Sequence, residues 1–399
     1  MSAPLRIAFV ADGDPENPMK SGSGSPARLI GALRKQGHIV HGVDASLRGV
    51  ERYLLAARLF RLDRRHWRAR FWLHSAAFAA RSLRARAQLV RIQAREPLDA
   101  VLMYGNDCLP VDGLPVPLFL YADNFSLHTK PIAHSNMAQL TPAEQRQAHV
   151  NEGRVFGAAR HIFTFSRYIA TQFTELAGID PARLEPVYAG ASIDLPERHG
   201  SPSWPRPPRI LFVGRDWRAK GGPIVMAALE KIVSRFPDVR LTVVGVRELP
   251  DAVRRVPWVE DLGLLDKTKP DEAARLSAAY AAATMFVLPT EYDSFPIVIL
   301  EAMANGLPVV TTNVWALPEM VRDGETGYVI PPGDADGLAR RLHGLLADPE
   351  QARRMGAAGR ARAEQLFTWD HVAQRVVAGI RLRIGAADAS PSPAERADA

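Results

Sequence analysis

The chain has 399 residues, of which 47% are hydrophobic and 23% charged, so it can build the cores of two or more domains and is not disordered as a whole. Its single cysteine excludes a disulfide framework and a cysteine-based zinc finger, and it fits a reducing compartment such as the cytoplasm. No apolar run approaches the ~20 residues of a membrane-spanning helix. The run at 7–11 is too short for the core of a signal peptide.

The formal net charge of +7 is unevenly distributed. Residues 48–95 contain 13 Arg and two acids, which gives this segment +11 and leaves −4 for the rest of the chain. Apolar side chains recur through the segment, some at helical spacing: Leu55, Leu59, Leu62, Trp67, Phe71, Trp72 and Phe78. The pattern predicts one or two basic amphipathic helices.

Three interpretations fit this arginine-rich segment. It forms a solvated basic face on helices whose apolar side is core, or it contacts anionic lipid, and these two are equally supported. Nucleic acid is the third partner and ranks last, because no helix-turn-helix, RNA-binding or zinc signature accompanies the arginines.

In chain order, the first half alternates between strands and helices. A strand at 5–11 precedes a turn-rich loop at 12–26, a helix at 27–36 and a second strand at 39–43. After the arginine-rich segment, further strands are predicted at 100–104, 117–121, 158–166 and 183–188. This order is typical of a doubly wound parallel sheet.

Five prolines lie in residues 196–208, which therefore read as a domain linker. The alternation then restarts, with strands predicted at 209–213, 240–244, 285–288, 308–311 and 327–329. The helices predicted around them lie at 223–236, 276–282, 297–304 and 370–383. The second half therefore predicts another parallel sheet.

The predicted fold class is α/β, with two Rossmann-like doubly wound domains facing a central cleft. The predicted division is an N-terminal domain at 1–195, a linker at 196–208, a C-terminal domain at 209–365, a helix at 366–385 and a disordered tail at 386–399. We expect the helix at 366–385 to return to the N-terminal domain.

The sequence VGRDWRAKGGP at 213–223 concentrates features that bind anions. Arg215, Arg218 and Lys220 follow a predicted strand, and Gly221 and Gly222 precede a predicted helix, whose first N–H groups and dipole favour a negative ligand. We interpret this loop as a diphosphate site, against the alternative of an ordinary turn with solvated basic residues. GxxxxGK[ST] is absent, so the loop is not a P-loop.

Asp293 and Glu301 lie eight positions apart in LPTEYDSFPIVILEAMANGLPVV, at 288–310. Asp293 follows a predicted strand and Glu301 lies within the next helix, where both carboxylates can accept hydrogen bonds from sugar hydroxyls. The alternative for Glu301 is an exposed helix acid, which the apolar surroundings in LEAMA disfavour.

Three motifs, GRDWRAKGG, DSFPIVILEAMANGLPVV and GETGYVIPPGD, resemble the retaining glycosyltransferases of the GT-B fold, specifically family 4, also called glycosyl transferases group 1. The resemblance is dense over 209–370 and looser over 1–195. It implies a nucleotide diphosphate sugar as donor. It also implies that Arg215 and Lys220 hold the diphosphate, that Asp293 contacts the donor sugar and that Glu301 contacts the ribose.

The same resemblance extends the donor site to other positions of these motifs. Gly214 and Gly221 belong to the phosphate loop, and Ser294 and Phe295 to the loop of Asp293. The segment WVEDLG, which ends at Gly263, resembles the loop that holds the nucleotide base.

In the N-terminal domain, the resemblance places Gly24 of the SGSGSP loop near the donor phosphates or the acceptor. Asp123, in YADNFSLH, is a candidate polar residue near the reacting carbon, as is His128, with a structural role equally supported for each. Two DxD sequences, at 12–14 and 334–336, are assigned to turns rather than to metal binding. The resemblance implies no metal and no cofactor, because Arg, Lys and a helix end neutralise the diphosphate.

Two positions depart from the family pattern. Asp293 stands in DSFP where the family usually has Glu in EGFG, and Pro296 replaces a glycine and so removes a backbone N–H. The implied function is transfer of a sugar to an acceptor hydroxyl of a lipid-linked or cell-surface glycan. The alternatives are a non-catalytic sugar-nucleotide or glycan-binding protein and another GT-B enzyme, such as a sugar-nucleotide epimerase or a phosphorylase.

Overall fold

A computed structural model describes residues 3–17, 24–129, 135–192 and 207–388. The chain divides into two compact units. The first comprises Met1–Tyr188 with Trp369–Ala399, and the second comprises Ala189–Thr368. The change of unit after Tyr188 precedes the expected linker at 196–208, of which only 207 and 208 lie within the described residues.

The first unit contains a six-stranded sheet in the order β2-β1-β3-β4-β5-β6, with all described pairings parallel. Its strands are β1 (Arg6–Ala11), β2 (Ile39–Asp44), β3 (Ala100–Tyr104), β4 (Leu118–Ala122), β5 (Ala159–Thr164) and β6 (Leu184–Pro186). β4 is buried along its whole length, as expected for a central strand with both faces covered. All six strands had been predicted, with small differences at their ends.

The described residues before Tyr188 form seven α-helices: α1 (Ser25–Lys35), α2 (Gly49–Arg58), α3 (Arg64–Leu73), α4 (Ser75–Gln93), α5 (Ser126–Thr129), α6 (Pro142–Ala158) and α7 (Arg167–Ala177). The predicted loop at 12–26 contains residues outside the described part, at 18–23, whereas Gly24 caps α1 with a φ of +87°. Gly24 thus adopts a backbone conformation that favours glycine.

The arginine-rich segment forms three helices, α2, α3 and α4, so the prediction of one or two was wrong. Side-chain caps explain the interruptions. The carboxylate of Asp63 accepts a hydrogen bond from the backbone N–H of Arg65 at 2.8 Å and starts α3. His74 Nδ1 accepts one from the N–H of Ala76 at 3.1 Å and starts α4.

The second unit contains another parallel sheet, in the order β12-β11-β10-β7-β8-β9. Its strands are β7 (Arg209–Val213), β8 (Arg240–Val244), β9 (Val259–Asp261), β10 (Met285–Leu288), β11 (Val309–Thr312) and β12 (Gly327–Ile330). Its helices are α8 (Gly222–Ile232), α9 (Asp251–Arg254), α10 (Pro270–Ala282), α11 (Ile297–Ala304), α12 (Leu317–Met320), α13 (Ala335–Ala347) and α14 (Pro349–Leu366). β9 is an edge strand of three residues that the sequence pattern did not predict.

The last helix, α15 (Trp369–Asp388), belongs to the first unit and packs against α1. Lys35 Nζ lies 2.6 Å from the carboxylate of Asp370, and the Gln36 amide donates to the Asp370 carbonyl at 2.9 Å. Residues 389–399, most of the segment expected to be a tail, lie outside the described part. Among the described residues, no helix is both long enough and apolar enough to span a bilayer.

Candidate functional site

The order of the second sheet creates a topological switch point between β7 and β10. The chain runs from β7 to β8 and β9 on one side, then returns to pair β10 with the opposite edge of β7. The loops that follow β7 and β10 consequently meet at the carboxyl end of the sheet, which is where ligands bind in open α/β sheets. These two loops contain the two motifs singled out in the sequence.

Glycine is required where the β7–α8 loop enters its helix. Gly221 has a φ of +82°, and a Cβ at this position would lie 2.1 Å from the carbonyl oxygen of Pro289. A Cβ at Gly222 would lie 2.1 Å from the ring of buried Trp217. The start of α8 is therefore pressed against the loop after β10 on one side and against Trp217 on the other.

The structure joins two of the predicted residues directly. Lys220 Nζ lies 2.5 Å from Asp293 Oδ2 and donates a longer hydrogen bond of 3.3 Å to the carbonyl of Tyr292. Both charged side chains are half-buried. The Lys220 stem crosses Gly214, where a Cβ would lie 3.1 Å from Lys220 Cγ. Gly214 therefore leaves the space that this lysine needs to reach Asp293.

Thr290 fixes the two loops to each other. Its hydroxyl donates to the carbonyl of Ala219 and lies equally close to that of Tyr292, at 2.9 Å in each case. The backbone N–H of Tyr292 donates to the same hydroxyl at 3.2 Å. The Lys220–Asp293 pair thus lies between backbone segments that are already hydrogen-bonded together.

Other predicted residues of these loops differ in exposure. Arg215 is exposed and makes no hydrogen bond or ion pair with a described residue. Ser294 and Phe295 are buried, and the Phe295 ring contacts that of Phe367 edge to face. Arg218 is exposed and its side chain makes no such contact either, so both arginines of this loop are available to a ligand without breaking an existing pair.

Glu301 is not an exposed helix acid, because its accessible surface is 0%. Lys267 Nζ contacts Glu301 Oε1, and the Tyr280 hydroxyl donates to Oε2 at 2.8 Å. Burial, followed by the charge of Glu301, raises the pKa of Tyr280 well above its ordinary value. Sequence reasoning missed both partners, which lie 34 and 21 positions from Glu301 and belong to no pattern that links them to it.

The loop that supplies Lys267 is itself ordered by local hydrogen bonds. The carboxylate of Asp266 accepts from the backbone N–H and the hydroxyl of Thr268, at 2.9 and 2.7 Å. The backbone N–H of Asp266 donates to Glu272 at 2.6 Å, which ties the loop to the first turn of α10. Lys267 lies between Asp266 and Thr268, which these hydrogen bonds hold in place, so the loop directs Lys267 toward Glu301.

Gly263 follows β9 and has a φ of +67°. Its carbonyl accepts from the N–H of Gly245 at 2.8 Å, and its own N–H donates to the Asp261 carboxylate at 2.9 Å. The segment expected to hold a nucleotide base is thus joined to the carboxyl end of β8 in the same sheet.

The carboxyl end of the first sheet has a different character. Asp12 follows β1, Asp107 lies beyond the end of β3, and Asp123 follows β4. Burial raises the pKa of Asp12 to about 6, an effect that Arg81 opposes and Asp107 reinforces. The Arg81 guanidinium is buried, with its Nε 3.6 Å from Asp12 Oδ2 and its Nη1 donating to the carbonyl of Trp72 at 2.8 Å.

Glu152 of α6 is a further acid of the first unit, and sequence reasoning did not identify it. It accepts hydrogen bonds from the Asn106 amide at 2.7 Å, from the Ser126 N–H at 2.9 Å and from the Ser126 hydroxyl. Burial raises its pKa to about 7. His128 is also buried, which lowers the pKa of its imidazole to about 4.

Apart from Asp12, the acids of the two DxD sequences take part in a turn, a helix cap and a surface ion pair. Asp14 accepts from the backbone N–H of Glu16 at 3.1 Å. Asp334 caps α13 by accepting from the N–H of Gly337 at 2.7 Å, and Asp336 pairs with Lys231 on the surface.

Solved structures with the same architecture define the fold class. The sucrose-phosphate synthase of Thermosynechococcus elongatus superimposes with a TM-score of 0.70 at 21% identity, over 96% of this chain and 100% of that one. The Anabaena protein HepE, in complex with UDP and glucose, gives 0.60 at 18% identity, over 94% and 99%. Together with the two six-stranded parallel sheets, these matches show a GT-B fold of two Rossmann-like units.

The sequence of the second unit is similar to a known family. Residues 196–362 match the family model described as glycosyl transferases group 1. The matched segment covers most of that unit and contains the Lys220–Asp293 pair and Glu301.

Curated relatives extend the similarity into the first unit. The D-inositol 3-phosphate glycosyltransferase of Segniliparus rotundus is 28% identical over 300 residues, which are 71% of this chain and 65% of that protein. The glycogen synthase of Mycobacterium tuberculosis is 32% identical over 260 residues, which are 63% and 61%. The aligned parts thus span less than two thirds of the length of these relatives.

Proposed function

We propose that this protein is a retaining glycosyltransferase of family 4, which transfers a hexose or related sugar from a nucleotide diphosphate sugar to an acceptor hydroxyl. The observation that carries the proposal is the Lys220–Asp293 pair, 2.5 Å apart at the switch point of the second sheet and beside the start of α8. The group 1 domain match and a neighbour of the same fold solved with UDP and glucose support it.

Lys220, Arg215 and the first N–H groups of α8 supply the positive charge that a leaving diphosphate requires. Negative charge on the diphosphate grows as the bond between its oxygen and the sugar C1 breaks, so fixed cations stabilise the transition state more than the bound donor. We propose that these groups act without a metal or cofactor, because the lysine, the exposed arginine and the helix end together neutralise the leaving group.

Retention follows from attack on the face that the diphosphate leaves. The acceptor oxygen forms its bond to C1 on the same face of the sugar, while the C1–diphosphate bond breaks. The acceptor proton passes to the departing diphosphate oxygen, so no protein nucleophile is needed.

Asp293 has two consecutive roles in this proposal. In the free protein it holds the Lys220 ammonium beside the start of α8. When donor binds, phosphate oxygens share that ammonium, and the Asp293 carboxylate accepts hydrogen bonds from sugar hydroxyls. Its side chain is one methylene shorter than the usual glutamate. The contact with Lys220 fixes the position from which the Asp293 carboxylate reaches the sugar hydroxyls.

Glu301 is proposed to bind the ribose, with Gly263 and its neighbours beside the base. Asp123 and the other acids at the carboxyl end of the first sheet are proposed to accept hydrogen bonds from acceptor hydroxyls. A lipid-linked or cell-surface glycan is the proposed acceptor. We also propose that the enzyme acts in the cytoplasm, peripheral on the inner face of the membrane.

A thermal-shift screen against UDP, GDP and ADP and their sugars tests the donor half of the proposal, because a ligand that binds only the folded protein raises Tm with its occupancy. Nucleotide release with and without added acceptor, followed by determination of the anomeric configuration of the product, tests the transfer. Binding without turnover would favour the non-catalytic alternative. Release of nucleotide with an inverted product would contradict retention.

A further inference from the structure

The helix α2 carries apolar side chains on two faces. Leu55 faces inward and belongs to a small core cluster with Leu47, Leu59 and Ala77. A second stripe, Val50, Tyr53 and Leu54, follows i, i+3, i+4 spacing and is exposed, with Tyr53 at 75%. Nothing in the described part of the chain covers this outer stripe.

The connection between α2 and α3 extends the exposed apolar surface. Leu62 is 94% exposed, and Phe60 is exposed while contacting Trp67 edge to face. Eight of the thirteen exposed large hydrophobic side chains among the described residues lie in 48–95. Their concentration in one segment distinguishes this surface from the isolated apolar residues that any protein surface carries.

Unpaired positive charge surrounds these side chains. Five arginines are exposed and form no ion pair with a described residue: Arg58, Arg61, Arg64, Arg65 and Arg68. Asp63, one of the two acids of the segment, is engaged in capping α3. The positive charge that the sequence predicted for a solvated or lipid-binding face is thus on the surface and not neutralised within the protein.

We propose that this α2 face, formed by Val50, Tyr53, Leu54, Phe60 and Leu62 with the five arginines, docks onto an anionic lipid bilayer. Only a bilayer presents phosphate groups and apolar chains side by side at one interface, which matches both halves of the surface. Nucleic acid matches the arginines but leaves Val50, Leu54 and Leu62 in water. This docking surface rests on the peripheral location in the proposed function and assigns that location to particular residues, whereas the transfer reaction is tested separately by nucleotide release.

Co-sedimentation of the full chain with vesicles tests the proposal. We expect binding to phosphatidylcholine vesicles that contain a third of phosphatidylglycerol, little binding to phosphatidylcholine alone, and loss of binding as salt is raised. Arg61→Ala and Arg64→Ala should each weaken binding about fivefold at low salt, from the usual contribution of one basic residue near an anionic surface.

The apolar half of the face has a matched control. Leu54 and Leu382 are both 67% exposed and both lie on helices of the first unit, but Leu382 is on α15, outside the arginine-rich segment. Leu54→Glu should weaken vesicle binding about tenfold or more, since it removes apolar contact and adds an acid, whereas Leu382→Glu should leave it unchanged. Equal effects of the two variants would overturn the proposal.

A second measurement does not depend on affinity. Cys108 is buried, so an environment-sensitive dye on Leu62→Cys reports on the α2 face, and the same dye on Leu382→Cys serves as control. A blue shift on anionic vesicles at residue 62 alone supports insertion. Equal binding to neutral and anionic vesicles at low salt, absence of binding to both, or no shift at residue 62 overturns the proposal.

Discussion

The carboxyl ends of the two sheets hold acidic residues in opposite electrostatic settings. In the second unit two acids contact lysines: Asp293 contacts Lys220, and Glu301 contacts Lys267. In the first unit Glu152 accepts hydrogen bonds from neutral donors, and Asp12 lies 3.6 Å from its arginine. The pKa of Asp12 is raised to about 6 and that of Glu152 to about 7, with burial as the main cause.

This difference separates two kinds of recognition. A lysine that contacts a carboxylate is already held in one direction, so a phosphate oxygen can share it without a new cation being recruited. Carboxyls that retain a proton near neutral pH can both donate to and accept from hydroxyl groups. This contrast supports the proposal that the carboxyl end of the second sheet (the second edge) binds a charged donor and that of the first sheet (the first edge) a neutral polyhydroxyl acceptor.

The largest expected effect follows from removing the cation of the second edge. Lys220→Ala should lower kcat by ~10²–10³, because the transition state loses a fixed positive charge, and should weaken sugar-nucleotide binding less. Lys220→Arg should recover only part, since a planar fork does not replace a point charge. Steady-state kinetics at saturating donor measures both.

Lys231 provides the control, because it also contacts an acid, Asp336, but on the exposed side of α8. Lys231→Ala should keep kcat within a few-fold of wild type. A Lys220→Ala variant with wild-type turnover would show that Lys220 is a structural partner of Asp293 and remove the diphosphate from this loop.

The next effect concerns the buried acid of the second edge. Glu301→Gln should weaken donor binding by about 1.5–3 kcal/mol, because ribose hydroxyls lose a charged acceptor, and should change the acceptor KM little. Calorimetry with the nucleoside diphosphate measures the change. Glu325→Gln, which removes an acid paired with Arg322 on the surface, is the control. An unchanged Kd for Glu301→Gln would reject the ribose role.

The acids of the first edge should make the stability of the protein depend on pH. The folded protein keeps a proton on Glu152 up to its raised pKa of about 7, whereas the unfolded chain releases it near the ordinary value of 4.5. The free energy of unfolding therefore falls as pH rises through this window, by up to ~3 kcal/mol for a shift of this size. Glu152→Gln does not titrate, so its loss of Tm between pH 5 and pH 8 should be smaller than that of wild type.

The Glu152→Gln variant also separates the contribution of Glu152 to the pH dependence of stability from that of Asp12. Asp12 has a raised pKa of the same sign, so part of the pH dependence should remain in the variant. The glutamine oxygen can still accept from Asn106 and from the Ser126 N–H, and its amide can donate to the Ser126 hydroxyl. Parallel wild-type and variant Tm curves would show that Glu152 is not protonated in the folded protein.

Sequence patterns predicted the backbone of this fold better than its side-chain pairs. The helix α11 has the predicted bounds, because an apolar run that follows a buried strand leaves few alternatives to a helix. The motifs also placed Lys220 and Asp293 in loops that follow neighbouring strands. Lys267 and Tyr280 were missed, since their contacts with Glu301 depend on how a loop and α10 pack on α11. Glu152 was missed for a similar reason. Its pKa is raised by burial, and its neighbours in the sequence do not show that it is buried.

The smallest expected effect tests how a ligand reaches Glu301. Its carboxylate has no exposed surface, and the Tyr280 hydroxyl that covers one side belongs to a fully buried residue. Lys267 covers the other side from a loop and is 35% exposed, so it is the cover that can move. If ribose hydroxyls bind the carboxylate, the ammonium must leave Glu301. Nucleotide binding should then increase the reaction of Lys267 with an amine-specific label several-fold.

Lys269 is an internal standard for that experiment, because it lies in the same loop and is paired with Glu272 at 2.9 Å on the surface. Its labelling, read by mass spectrometry on the same protein, should not change with nucleotide. Glu301→Gln should make Lys267 reactive without any ligand, since the carboxylate charge that holds it is gone. Nucleotide binding seen by calorimetry with unchanged or reduced Lys267 labelling would mean that the ammonium stays in place. Lys267 would then share Glu301 with the ribose or contact the nucleotide itself, and both lysine–acid pairs of the second edge would persist in the bound state.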